Sequence, residues 1–242
     1  MSEVVGAHND LHSEQGAVKG EHPGRSRNPV IKVADLAWLE FEKPDLDRAE
    51  TFARAFGFGV VHRTPDELRL RGTDAGAPCV LVHRGQRTRF RGVAFKAQDE
   101  VDVLRLADKT NAPTRALPES LGGVAVELTD PSGTPVKVVA GMHDLPELPA
   151  QPAHVFNFGH DLRRTNTTQR PPRAPAAIQR LGHVVLQSSR YIEALNWYLD
   201  HLGLIVSDFL YYPGQRHRGP TMSFIRCDRG AIFLSAKREG GT

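Results

Sequence analysis

Residues 181–204 read LGHVVLQSSRYIEALNWYLDHLGL, and this stretch decides the fold. Leu181–Gln187 is short, apolar and rich in β-branched residues, which predicts a strand. Ser188 or Ser189 suits the start of a following helix, because a serine hydroxyl accepts a bond from an unpaired N–H of the first turn. Ile192, Leu195, Tyr198, Leu199 and Leu202 then recur at helical spacing. Gly203 ends the helix, since glycine adopts the left-handed conformation that closes a last turn.

Working outward, the same order stands earlier in the chain. Val33–Phe41 (VADLAWLEF) predicts a strand, and Asp45 opens a helix with apolar positions Leu46, Ala49, Phe52 and Phe56 before Gly57. Phe56-Gly57-Phe58 mirrors Leu202-Gly203-Leu204. Strand to stop glycine takes 22 residues in one copy (Asp35 to Gly57) and 20 in the other (His183 to Gly203), which marks an internal repeat. Val60–His62, Glu67–Arg71 and Pro78–His83 follow the first helix as three short strands. A further unit begins at Gly92–Ala97, with Val101, Leu104 and Ala107 as a helical face. Val124–Leu128 and Pro135–Ala140 then flank the turn Asp130-Pro131-Ser132-Gly133, in which proline presets φ and glycine accepts positive φ.

The repeats divide the chain. Residues 1–29 lack apolar periodicity and read as a disordered N-terminal extension. Their His8 and His12 stand i, i+4, but nothing there supports the helix that a metal pair would need. Residues 30–142 form one domain of two units. Residues 143–178 hold six of the chain's 17 prolines and read as a linker, and 179–242 form a second domain.

Composition removes several functions. The 242 residues carry 31 Lys and Arg against 28 Asp and Glu, a net charge of +3 spread along the chain. The one dense basic segment, Arg216-His217-Arg218, is short and has only Tyr211 and Tyr212 near it, so no nucleic-acid partner is expected. No apolar run reaches the length of a membrane span. The N-terminus has no basic-then-apolar signal pattern, so the expected setting is cytoplasmic. There Cys79 and Cys227 read as reduced thiols, and Asn166-Thr167-Thr168 would meet no glycosylating enzyme.

Strand–helix–strands units in pairs resemble the vicinal oxygen chelate superfamily of glyoxalases, bleomycin-resistance proteins and type I extradiol dioxygenases. The segments LGHVVLQSS, YIEALNWYLDHLGL and GPTMSFIRCDRG resemble the start of the catalytic domain of an extradiol, 2,3-dihydroxybiphenyl-type dioxygenase. The resemblance implies an α+β fold of tandem βαβββ modules. It also implies a catechol-type aromatic substrate, O₂ as co-substrate, Fe(II) as cofactor and assembly as a homo-oligomer. It makes His183 a metal ligand, because a 2-His-1-carboxylate triad leaves iron positions open for catecholate and dioxygen. It makes His217 a proton-transfer residue. Without the resemblance, His183 reads as a strand histidine filling a core position and His217 as a solvent-facing residue of a basic loop. His201 at a helix end suits the helix dipole.

The first domain is expected to hold no metal: Asp35 stands where the resemblance places a first-strand histidine, and Lys137 where a carboxylate often lies. After Gly230 the resemblance calls for a second histidine ligand and then a fourth module bearing a glutamate. This chain instead reads AIFLSAKREGGT, whose Glu239 is a poor substitute, so the last module is expected to be missing and the iron site incomplete. Three readings follow: an impaired ring-cleaving dioxygenase, a metal-free small-molecule binding protein of the bleomycin-resistance kind, and an assembly role for the linker and an unpaired sheet edge.

Overall fold

The computed structural model describes residues 22–150, 154–166, 173–227 and 230–236. His8, His12 and Glu239 lie outside them. The repeat is real and threefold. The first unit is β1 (Asp35–Lys43), α1 (Leu46–Phe56), β2 (Gly59–Arg63), β3 (Glu67–Arg71) and β4 (Val80–Arg84). The second is β5 (Arg89–Lys96), α2 (Glu100–Thr110), β6 (Thr114–Ala116), β7 (Val124–Thr129) and β8 (Pro135–Ala140). The third is β9 (His183–Ser188), α3 (Tyr191–Leu202), β10 (Ile205–Leu210), β11 (Met222–Arg226) and β12 (Ala231–Ala236). Sequence reading did not assign β6, β10 or β12.

Local chemistry explains the helix ends. Asp45 and Asp99 cap α1 and α2 by accepting the N–H of Arg48 and Asp102, and Gly57 and Asn111 close them in the left-handed conformation. Gly203 closes α3 in the same way. The expected serine cap does not form. Arg190 holds the cap position without a side-chain bond, and Ser188 Oγ instead accepts the Arg190 N–H.

Two helix faces differ from expectation. On α1, Leu46 and Ala53 are buried, whereas Phe52 and Phe56 are 66% and 53% exposed. Those rings stack on each other and on Phe58 along the outer surface. On α2 the buried series is Val103, Leu106 and Ala107, leaving Val101 and Leu104 outside. Each helix carries two apolar series at three-to-four-residue spacing, and contact with the sheet selects between them.

The first two units share one sheet of order β2-β3-β4-β1-β5-β8-β7-β6, joined by antiparallel pairing of β1 with β5. The third forms its own sheet of order β10-β11-β12-β9, with β9 and β12 parallel. One core links them. Phe95, Val103, Leu106, Val126 and Val138 from the second unit pack with Leu186, Leu195, Tyr198, Leu202, Ile225 and Ile232 from the third. Tyr198 ties the two polar ends, donating to Asp130 Oδ2 at 3.1 Å. Asp130 Oδ1 accepts from Ser132 and Thr134 N–H, which holds the Asp-Pro-Ser-Gly turn.

The segments read as extension and linker run along these units. Residues 22–29 lie against the third: Gly24 accepts the Val206 N–H, and Arg25 bridges Ile205. The proline-rich stretch returns along the first unit through Leu148 N–H to Thr73, Thr73 N–H to Ile178 and Ile178 N–H to Gly57.

Candidate functional site

Each sheet has one face under helices and one facing away from them. In the double sheet the second face is closed. Trp38, Leu81, Ala94, Leu121, Ala125 and Val139 fill its floor as a buried cluster. Around that floor stands a charged network that sequence reading missed, although its signal was present as charges at alternate strand positions: Glu40 and Glu42; Glu67, Arg69 and Arg71; His83; Lys137. Glu40 is 5% exposed and accepts from Trp38 Nε1 at 2.8 Å and Lys137 Nζ at 2.7 Å, with His83 Nε2 at 3.9 Å. Burial alone would raise its pKa. Hydrogen bonds from Lys137 and Trp38, with the charges of Lys137 and His83, outweigh that and hold the carboxyl below its ordinary value. His83 moves down too, through burial, against the opposing pull of Glu40 and Glu67. Arg69 donates to Glu67 and Ser120, while its buried Nε has no partner among the described residues.

Lys137 is therefore the counter-ion of Glu40. The residue of β1 that matches His183 is not Asp35. Counting back eight residues from the helix starts, Leu46 and Tyr191, sets Trp38 against His183. Asp35 lies three residues earlier, where its Oδ1 accepts its neighbour's N–H.

In the third unit the corresponding face is open. Along β9, Val184, Leu186 and Ser188 are buried, and His183, Val185 and Gln187 are exposed. Register carries the open face across the sheet as His183-Ala231-Arg226-Ile205, Val185-Phe233-Phe224-Asp208 and Gln187-Ser235-Met222-Leu210. The result is an apolar patch of Val185, Phe224, Phe233, Met222 and Leu210 with one imidazole at its corner. The His183 ring lies 4.9 Å from that of Phe233, which meets Phe224 edge-on at 4.7 Å.

The structure does not bring His217 to His183. His217 sits exposed in a single 3-10 turn, Arg216–Arg218, between β10 and β11, beyond the Leu210–Met222 end of the sheet. His183 stands at the other end, four residues of strand or about 13 Å away along the strand direction alone. Beside His183 across the ladder are Ala231 and Arg226, neither a metal ligand. His201 lies in the last turn of α3, bonded to the Trp197 carbonyl and stacked on its indole. Among the described residues, no group of three His, Cys, Asp or Glu could hold a metal ion.

No family model matches the chain. Metapyrocatechase 2 of Cupriavidus necator is 29% identical over 203 residues, which cover 82% of this chain and 61% of that protein. The Mn(II)-bound glyoxalase from Novosphingobium aromaticivorans superposes with a TM-score of 0.66 at 18% identity, covering 85% of this chain and 62% of the glyoxalase. The fold is that of the vicinal oxygen chelate proteins. Two further structures agree. A variant of homoprotocatechuate 2,3-dioxygenase from B. fuscum matches at TM-score 0.66 and 15% identity, over 88% of this chain and 55% of its own. The 2,3-dioxygenase LapB from Pseudomonas sp. KL28 matches at 0.64 and 15%, over 88% and 73%. The chain spans about three-fifths of the length of the curated relative it matches. Among the described residues, no helix is long and apolar enough to cross a membrane.

Proposed function

We propose that this chain is an extradiol-dioxygenase-like protein whose small molecule is a catechol-type aromatic, bound over the open face of β9–β12. The observation that carries this is the pairing of an apolar, aromatic floor (Phe224, Phe233, Val185) with one exposed imidazole, His183, in a fold shared with catechol-ring dioxygenases. Planar rings pack well against such a floor through edge-to-face contacts, worth about 0.5–1.5 kcal/mol each beyond their buried area. His183 can bond a catechol hydroxyl at the rim.

Fe(II) is the cofactor that the fold family implies, with O₂ as co-substrate, and bound iron would supply the activation of both. The described residues do not fit it: a facial triad needs three ligands, and this face offers His183 on β9 with Asp208 three strands away on β10. No ring-opening step is therefore assigned to this chain's side chains. His217 stays in the proposal as the proton-handling residue, and its place sets the requirement: the β10–β11 connection must fold over the face to reach a ring held at His183. Cys79 and Cys227 are buried thiols, in keeping with a reducing, cytoplasmic setting.

The absence of a three-ligand group among the described residues favours a second reading, a metal-free binding protein. Anaerobic titration with Fe(II), then catechol, then O₂ separates the two. Saturable catechol binding that weakens in His183→Ala supports the aromatic site. Iron-dependent tightening of that binding marks the dioxygenase-like protein, and iron-independent binding marks the second reading. A chain that binds no catechol with or without iron refutes both.

A further inference from the structure

The arm of residues 24–33 is pinned to the third unit at two points. Val206 donates to Gly24 O at 2.7 Å, and Val30, Ile31 and Val33 donate to the carbonyls of Asp200, His201 and Leu202 at 2.8, 3.2 and 3.0 Å. Those three carbonyls belong to the last turn of α3, where a helix has no partners of its own to offer. A Cβ on Gly203 would stand 2.5 Å from Ile31 O, so the arm lies tight against the helix end. Between the two anchors is a cleft of about 420 Å³. Asp102 and Arg105 of α2 form part of its wall, and Val30, Ile31, Leu204 and Ile205 supply its apolar base.

We propose that this cleft binds a phosphorylated small molecule, a phosphate monoester with a short apolar body. Four cationic side chains line it, Arg25, Arg27, Lys32 and Arg105, against a single carboxylate, Asp102. Three of the cations come from the arm and one from α2, so two separate elements turn positive charge onto one space. Asp102 is already engaged. Its Oδ1 accepts from Arg105 Nη1 at 2.6 Å, a bond that orients the guanidinium and leaves most of its five N–H donors for a ligand. The α3 carbonyls that would repel an anion are covered by the N–H groups of the arm.

The lining selects the class of ligand. A guanidinium fork pairs with carboxylate or phosphate alike. A carboxylate brings two oxygens and one charge, whereas a phosphate monoester brings three free oxygens and a charge of about −1.5 to −2, enough to engage several cations at once. Ser26 and Asn28 add neutral donors. Carbon has a place as well: Ile31 and Leu204 are buried members of the shared core, and Val30 and Ile205 stand half-buried beside them. Among the described residues, no aromatic side chain lines the cleft, which sets it apart from the ring-binding face of β9–β12. Its volume falls within the range of small-molecule sites.

Calorimetric titration of the full chain at physiological salt, with n-butyl phosphate, inorganic phosphate and succinate as probes, tests this. Butyl phosphate should bind one to one with a Kd below about 1 mM, and about tenfold tighter than inorganic phosphate because its carbons leave water. Succinate should bind more weakly than the ester by a similar factor. Arg27→Gln with Lys32→Gln should weaken the ester at least about tenfold. Arg48→Gln with Arg87→Gln removes the same charge from exposed sites that do not line the cleft, and should leave binding unchanged. All four side chains are exposed, and circular dichroism checks that both variants fold. Absence of saturable binding overturns the proposal, as does an ester that binds no tighter than inorganic phosphate or succinate. These comparisons are made on the wild-type chain and need no variant. A folded Arg27→Gln, Lys32→Gln chain that binds like the control overturns it too. None of the probes is a catechol, so the result is separate from the test of the function proposed above.

Discussion

Glu40→Gln is the sharpest test of the closed face in the first domain. The substitution keeps the side-chain shape and an acceptor for Trp38 Nε1, and removes the charge that Lys137 faces at 2.7 Å. Breaking a fully buried pair costs about 3–5 kcal/mol. Here the Lys137 side chain is 27% exposed and Glu127 stands 3.5 Å from its Nζ, so the discounted cost is about 2 kcal/mol. Glu40→Ala also strands the indole N–H, for about 1–3 kcal/mol more. In urea titrations the order should be wild type, Gln, then Ala. The acid limb adds a sign. Because Glu40 titrates below its ordinary value, its contribution is complete above the unfolded pKa and is lost as pH falls through the lower folded one. Wild type and Glu40→Gln should therefore converge below about pH 4. His83, held low by burial, binds fewer protons folded than unfolded and so loses stability as pH falls beneath its ordinary value near 6.5. Removing Glu40's charge deepens that depression and should steepen the fall between about pH 6.5 and 5. A Gln variant within about 0.5 kcal/mol of wild type at pH 7, or one that runs parallel to it down to pH 3, would refute the network as an energetic unit.

Other outcomes follow from the same contacts. Tyr198→Phe leaves Asp130 Oδ2 without its donor and should cost about 1–3 kcal/mol by urea denaturation, against a negligible change for Tyr212→Phe, which is exposed. Cys79, whose thiol burial pushes up, should resist an aromatic disulfide reagent at pH 8 until the protein is unfolded; prompt labelling of native protein would contradict its burial. Phe52→Ser with Phe56→Ser should change stability by less than about 1 kcal/mol, since both rings stand in solvent, and a larger loss would show that they cover core.

Much of this architecture was legible in the chain. Capping Asp45, stop glycines Gly57 and Gly203, and the Asp130–Gly133 turn are local signals, and local signals survive into the fold. The strand, helix and three short strands of the first unit were legible for the same reason, whereas β6, β10 and β12 were not. Helix orientation was not legible, because Phe52 and Leu104 satisfy periodicity as well as Ala53 and Leu106, and only the sheet chooses. Register against a second unit was also hidden: Asp35 and Trp38 both precede α1, and equivalence to His183 depends on where the strand stops. The separation of His217 from His183 is a property of strand direction, which no motif encodes.

The Tyr198–Asp130 bond and the core around it bear on how the chain would survive being cut. Residues 154–166 are exposed, so a protease nick there leaves the shared helix core untouched. The two fragments would stay associated without a covalent link, eluting together and melting in one transition. Severed and expressed separately, each would instead present the other's binding surface as raw hydrocarbon, α2 on one side and α3 on the other, and each alone should aggregate.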